Sequence, residues 1–164
     1  MADDGTDART EGELRAIGAA EAAGLDFRVV RHGKVSSLEE AAQVRGVTPA
    51  DIIKTLVVRR GDDDYLFVLV PGDRGISWPK LRTLLGVSRM SMPDAADARA
   101  VTGYERGTIT PFGSLRPLPV VADERVVGRE ISIGGGAFGV SLSVDADQAI
   151  SALDARIADV TEPL

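Results

Sequence analysis

A lysine interrupts an otherwise apolar strand face. The run Ile52 to Val58 has β-strand composition, and alternate side chains of a strand point to opposite faces. Ile52, Lys54, Leu56 and Val58 therefore share one face, and only Lys54 on it is polar. Burial disfavours the charged form of an amine, so an amine held there is a base, or a cation aimed at a ligand. The competing reading is a strand-end lysine that snorkels its ammonium to water along its apolar stem. Spacing alone leaves the two even.

The second feature with chemical content is the irregular segment Thr102 to Gly113. A long unpatterned stretch inside a small domain is often functional. Gly107 and Pro111 frame a bend, and glycine permits positive φ and close backbone approach. Backbone N–H groups exposed there could receive a carbonyl oxygen or an oxyanion. The hydroxyls of Thr108 and Thr110 could orient a water or a ribose. A surface crossover whose glycines serve only its turns is the competing reading.

Other motifs are weaker. Gly134, Gly136 and Gly139 form a literal G-x-G-x-x-G. A dinucleotide fingerprint needs a strand before it and a helix after. Here Val140 to Val144 alternates apolar and polar residues, so the glycines read as a hairpin turn. Gly136 can still line a pocket with its backbone. His32 is the only histidine and there is no cysteine. That composition argues against zinc and excludes disulfides and a cysteine nucleophile. No G-x-S-x-G elbow is present. His32 could close one side of a pocket. Asp123 and Glu124 fall at a strand end, where carboxylates are usually solvated. No cofactor and no metal are expected.

These residues need elements to position them. Residues 1–9 read as a disordered tail, and 10–164 as one domain. Glu11 to Ala23 is helical and stops at Gly24. Phe27 to Arg31 is a strand. Ser37 with Glu40 fits a capping box for a second helix ending at Gly46. The lysine strand and the apolar run Tyr65 to Val70 should form an antiparallel hairpin around the polar turn 60–64. Ser77 caps a helix through Leu85, and Pro93 to Val101 is another. Strands over 120–122, 130–133 and 140–143 follow, joined by short turns and so read as antiparallel. A helix from Asp145 to about Leu153 closes the fold. The order implies an α+β domain with a mixed, curved or barrel-like sheet surrounded by helices.

The composition, 44% hydrophobic and 27% charged, suits a globular core. No apolar run reaches membrane-spanning length, and the acidic start of the chain is unlike a signal peptide. A cytoplasmic location is the expectation. The net charge of −6 argues against strong non-specific nucleic-acid binding and leaves room for a small basic patch around a pocket.

Five motifs then fall in one order: Ile53 to Leu56, Val70 to Arg74, Thr102 to Tyr104, Gly107 to Gly113, and Pro117 to Glu124. In this order they resemble the YbaK/ProX family of aminoacyl-tRNA deacylases, related to the editing domain of bacterial prolyl-tRNA synthetases. The resemblance covers roughly residues 25–155. It implies hydrolysis of the ester that joins a wrong amino acid to the tRNA 3′ end, with mischarged tRNA for proline as substrate. It implies that Lys54 contacts the substrate end of the tRNA and that the Gly107 backbone holds the aminoacyl carbonyl, with Pro111 completing the motif. The family commonly has serine before that proline, where this chain has Thr110. It often has glycine after the first glycine, where this chain has Thr108. Both departures bear on amino-acid specificity. The expected partners are the tRNA acceptor end and, as a possible helper, prolyl-tRNA synthetase, with no membrane. Arg31, Lys34, Arg59, Arg60, Lys80 and Arg82 are the candidate phosphate contacts. The alternative is a non-catalytic module of the same fold that binds aminoacyl-tRNA or a synthetase.

Overall fold

The hairpin that carries Lys54 is the centre of the architecture. The computed structural model describes residues 10–164; the tail expected at 1–9 lies outside the described residues. Strand β2 (Ile53–Gly61) pairs antiparallel with β3 (Asp64–Pro71), which was expected, and Lys54 stands opposite Val70. Asp63 makes the turn with φ +54, a left-handed conformation that aspartate tolerates better than most residues.

Around this hairpin the helices are α1 (Glu11–Ala22), α2 (Leu38–Arg45), α3 (Trp78–Leu85), α4 (Ala95–Thr102) and α5 (Ala146–Leu153). Their ends follow the local chemistry. Ser37 and Ser77 accept hydrogen bonds from the Glu40 and Lys80 amides, and Gly46, Gly86 and Gly103 take left-handed caps. Glu40 does not close the capping box on Ser37; its carboxylate accepts from the Ser36 amide instead.

The remaining strands are β1 (Phe27–Arg31), β4 (Arg74–Ile76), β5 (Val120–Asp123), β6 (Glu130–Gly134), β7 (Val140–Asp145), β8 (Arg156–Ala158) and β9 (Thr161–Pro163). One sheet has the order β2-β3-β5-β8, a second has the order β1-β7-β6, and β4 pairs with β9. The two larger sheets meet at the parallel bridge Ile52–Ser132. The result is the mixed α+β class expected from the order of elements.

Two expectations change. β5 does not join an antiparallel run with β6; it lies parallel to β3, and β8 lies parallel to β5. Parallel neighbours need a long crossover, and the segment from Pro71 to Val120, with α3, α4 and the irregular stretch, supplies it. Nor does α5 close the fold, because β8 and β9 follow it and fill the sheet edges.

The main core lies between the larger sheets, with Ile53, Val57, Phe67 and Leu69 facing Ile131, Ile133, Leu142 and Val144. On the opposite face Val58, Leu66, Val68 and Val70 pack on Leu81 of α3. β3 is therefore buried on both faces, as its continuous apolar run indicated. Each such side chain contributes about 1.5–3 kcal/mol on leaving water, which fixes β3 as the rigid partner of the lysine strand.

Candidate functional site

β2 is an edge strand, and that fact creates the site. Arg59 exchanges both backbone hydrogen bonds with Ser91, away from β3. Peptide groups along an antiparallel strand alternate in direction, so those of Thr55 and Val57 also point away from β3. The proline opposite Ile53 cannot donate, which agrees with this register. Between the bridge at Ile52 and the pairing at Arg59, the β2 edge forms one wall of a cavity of about 250 Å³. Lys54 stands in that wall, and Gly107 and Ile109 line the same cavity. Met92, Pro93 and Ala98 supply an apolar side.

Lys54 is half-buried. Its Nζ donates to the Arg74 carbonyl at 2.5 Å, and an ammonium retains two further N–H groups. Burial lowers its pKa below the ordinary lysine value, and the negative charge of Asp73 partly opposes this. The Thr55 hydroxyl, on the neighbouring position of the same wall, is buried without a hydrogen-bond partner.

The Gly107 loop is held rather than free. Arg15 of α1 donates from Nε to the Gly113 carbonyl at 3.1 Å and from Nη2 to the Gly103 carbonyl at 3.0 Å. Its guanidinium lies 4.7 Å from the centre of the Tyr104 ring. The Tyr104 hydroxyl donates to the Phe112 carbonyl at 2.5 Å. Burial pushes that phenol up to about 12, with Arg15 opposing. Gly107 itself takes φ +92, and a Cβ there would come within 3.3 Å of the Phe138 ring. The glycine is favoured there by conformation.

A second cavity, of about 520 Å³, lies beside the first and shares Arg45, Gly107 and Gly134 with it. His32, Lys34 and Phe138 complete its rim. Among the described residues, the ionisable side chains lining the two cavities are Arg45, Lys54, Arg106, Lys34 and His32; no carboxylate lines either. A chain of net charge −6 thus builds a locally cationic cleft. Low-dielectric walls focus such a field. Arg45 donates from Nη1 to Ser132 Oγ at 3.2 Å, while its Nε is buried without a partner.

The structure brings Lys54, Gly107 and His32 to this double cleft. Thr108 and Gly136 line a separate hollow that shares Ala137 and Phe138 with the second cavity. The Thr108 hydroxyl donates to the Glu105 carbonyl at 2.7 Å. Thr110 and Pro111 are buried inside the loop. The glycine run is the β6–β7 hairpin turn that its pattern indicated, with Gly136 at φ +85 against Gly12 of α1. Of the expected phosphate contacts only Lys34 lines the cleft. Arg31 pairs with Glu13 and Lys80 with Asp159. Arg59, Arg60 and Arg82 gather with Arg89 in an open groove at the far end of β2. Asp123, expected to be solvated, is fully buried and accepts the Val160 and Arg125 amides. Sequence reading missed Arg15, Arg45 and Phe138. Their types were visible, but each acts through partners roughly 30 to 100 positions away in the chain.

This fold is shared with known proteins. Residues 32–151 match the family model of the aminoacyl-tRNA editing domain, and the chain belongs to that family. It is 33% identical over 132 residues to the proline–tRNA ligase of Heliobacterium modesticaldum, a match covering 77% of this chain and 23% of that enzyme. The Bacillus licheniformis proline–tRNA ligase is 29% identical over 112 residues, covering 68% of this chain and 19% of that one. The chain thus spans about a quarter or less of these ligases. An Enterococcus faecalis protein, named as a candidate Cys-tRNA(Pro)/Cys-tRNA(Cys) deacylase, is 26% identical, with 76% of this chain and 77% of that one aligned. A solved structure described as a candidate trans-editing enzyme for prolyl-tRNA synthetase superposes with a TM-score of 0.86 at 26% identity. That superposition covers 94% of this chain and 99% of the other.

Proposed function

We propose that this protein is a hydrolase that removes a wrong amino acid from the 3′ end of tRNA for proline. The observation that carries the reading is the pairing of Lys54 and Gly107. They lie 53 positions apart, yet they line one cavity whose charged walls, among the described residues, are cationic. The names of the similar proteins support the same chemistry. An aminoacyl ester is already activated, so a side-chain nucleophile is not required. Positioning the ester and stabilising the oxyanion that forms on its carbonyl are sufficient.

In this reading water attacks the carbonyl carbon, the oxyanion develops, and the ribose oxygen departs with a proton. Lys54 offers its two remaining N–H groups to the tRNA end and to the developing charge. The Gly107 loop, clamped by Arg15 and Tyr104, holds the carbonyl region. The outward peptide groups of Thr55 and Val57 are further partners for the ester end. Thr108, Thr110 and Pro111 keep the loop in shape, and His32 closes the outer side. The arginine groove beyond β2 suits acceptor-stem phosphates, and prolyl-tRNA synthetase is the natural donor of the substrate.

The test is a deacylation assay on tRNA for proline charged with alanine, cysteine, serine or proline. At least one wrongly charged form is expected to be cleaved well above its spontaneous rate, with the proline form spared. If none is cleaved, the hydrolase reading falls, and retained binding of charged tRNA would then favour a non-catalytic module.

A further inference from the structure

Phe138 is out of place for a core residue. The chain has one Trp, two Tyr and four Phe, and all but Phe138 are buried or half-buried. Phe138 is 69% exposed at the tip of the β6–β7 hairpin. A Cβ built on Gly107 would come within 3.3 Å of its ring, and most of the ring faces solvent. So exposed a ring gains little from packing. Its position is specific, because it stands on the rim of the second cavity, one wall away from Lys54.

Around it are the features that hold single-stranded nucleic acid: an aromatic face for a base and cations for the backbone. Lys34 is exposed and has no ion-pair partner among the described residues. Arg45 lines the same cavity and is anchored by Ser132. Among the described residues no carboxylate lines the cavity. At about 520 Å³ it has room for a nucleoside, whereas the cavity beside Lys54, about half as large, suits an amino acid.

The geometry points to the second cavity as the seat of the terminal nucleotides of the tRNA, with a base stacked on Phe138 and the phosphates directed to Lys34 and Arg45. This rests on the deacylase reading for the identity of the ligand, and it divides the cleft. The amino acid lies by Lys54, the terminal ribose passes Gly107, and the base leaves over the hairpin tip.

The experiment compares the full-length wild type with Phe138→Ala, Phe138→Leu, Phe138→Trp and Lys34→Gln. One readout is steady-state deacylation of charged tRNA. The other is fluorescence-anisotropy binding of an uncharged RNA dodecamer carrying the tRNA 3′-terminal sequence. Stacking of one base is worth roughly tenfold or more in affinity. Phe138→Ala and Phe138→Leu are both expected to raise KM and the dodecamer Kd about tenfold, with the effect on KM rather than kcat. Phe138→Trp is expected to restore both. Lys34→Gln is expected to flatten the salt dependence of dodecamer binding by about 0.7 in the log–log slope, the value of one lost single-strand phosphate contact. If Phe138→Ala deacylates and binds like the wild type, the subsite is wrong and the hydrolase reading stands. If no charged tRNA is cleaved but the dodecamer binds in a Phe138-dependent way, the hydrolase reading is wrong and the subsite stands.

Discussion

Lys54→Ala is expected to slow deacylation by about 10²- to 10³-fold, the range seen when one preorganised donor is removed from a developing oxyanion. The fold should survive. Lys54 is half-buried on an edge strand, and its recorded hydrogen bond is to the Arg74 carbonyl. Stability should change by less than about 1 kcal/mol, in the range of substitutions outside the core. The comparison that isolates charge is Lys54→Met, which keeps most of the stem. Met should be as inactive as Ala. A Met variant with wild-type kcat/KM would show that only the stem matters and would remove Lys54 from the chemistry.

The pH behaviour follows from burial. Desolvation lowers the Lys54 pKa, so its ammonium is lost at a lower pH than that of an exposed lysine. If the ammonium form is the working one, enzymatic deacylation, corrected for the spontaneous reaction, declines as pH rises through that lowered pKa. Lys54→Arg keeps its charge throughout, so whatever activity it retains should lack this decline. The stability effect has the opposite sign. Between the lowered folded pKa and the ordinary unfolded one, the unfolded chain binds the extra proton, so stability rises with pH in that window. In Lys54→Met this rise should be missing from thermal melts.

The fold was legible wherever local pattern decides structure. The caps at Ser37 and Ser77, the β2–β3 hairpin and the glycine turn before Val140 are written in neighbouring residues. Pairing over long distance was not. Nothing near Val120 shows that it will lie parallel to Phe67, because that register is set by the crossover between them. The same limit governs the site. The anomaly at Lys54 was visible, and so was the Gly107 loop. That β2 is an edge strand, with Thr55 and Val57 turning their peptide groups toward the loop, depends on what fails to pair with β2 between Ile52 and Arg59. Arg45 lies in the last turn of α2, where a cation complements a helix C-terminus. Its contact with Ser132, 87 positions away, places it instead between the two cavities.

Asp123 shows how such long-range dependence becomes stability. It reads as a solvated strand end, yet its carboxylate is fully buried at the end of β5. One oxygen accepts the Val160 amide at 3.1 Å, the other accepts the Arg125 amide at 3.1 Å, and Arg125 Nη1 lies 3.3 Å away. Arg125 also reaches Asp159, which in turn holds Lys80. This one side chain therefore ties β5 to the segment between β8 and β9. Asp123→Ala would leave the buried Val160 amide without its acceptor and weaken the hold on Arg125. A buried donor that loses its partner costs about 1–3 kcal/mol, and breaking a buried ion pair costs about 3–5 kcal/mol. Because Arg125 is partly exposed and keeps Asp159, the expected loss is about 3 kcal/mol. For a chain of this size that lowers Tm by roughly 6–12 °C. Asp123→Asn keeps one acceptor oxygen and should lose less. Calorimetry checks the order wild type, Asn, Ala. An Ala variant melting within a degree or two of the wild type would show that the chain after α5 is held by other contacts. Deacylation per folded molecule should be unchanged below the transition, because Asp123 lines neither cavity. Lys54→Ala and Asp123→Ala should thus fail in opposite ways, the first folded and inactive, the second active while it remains folded.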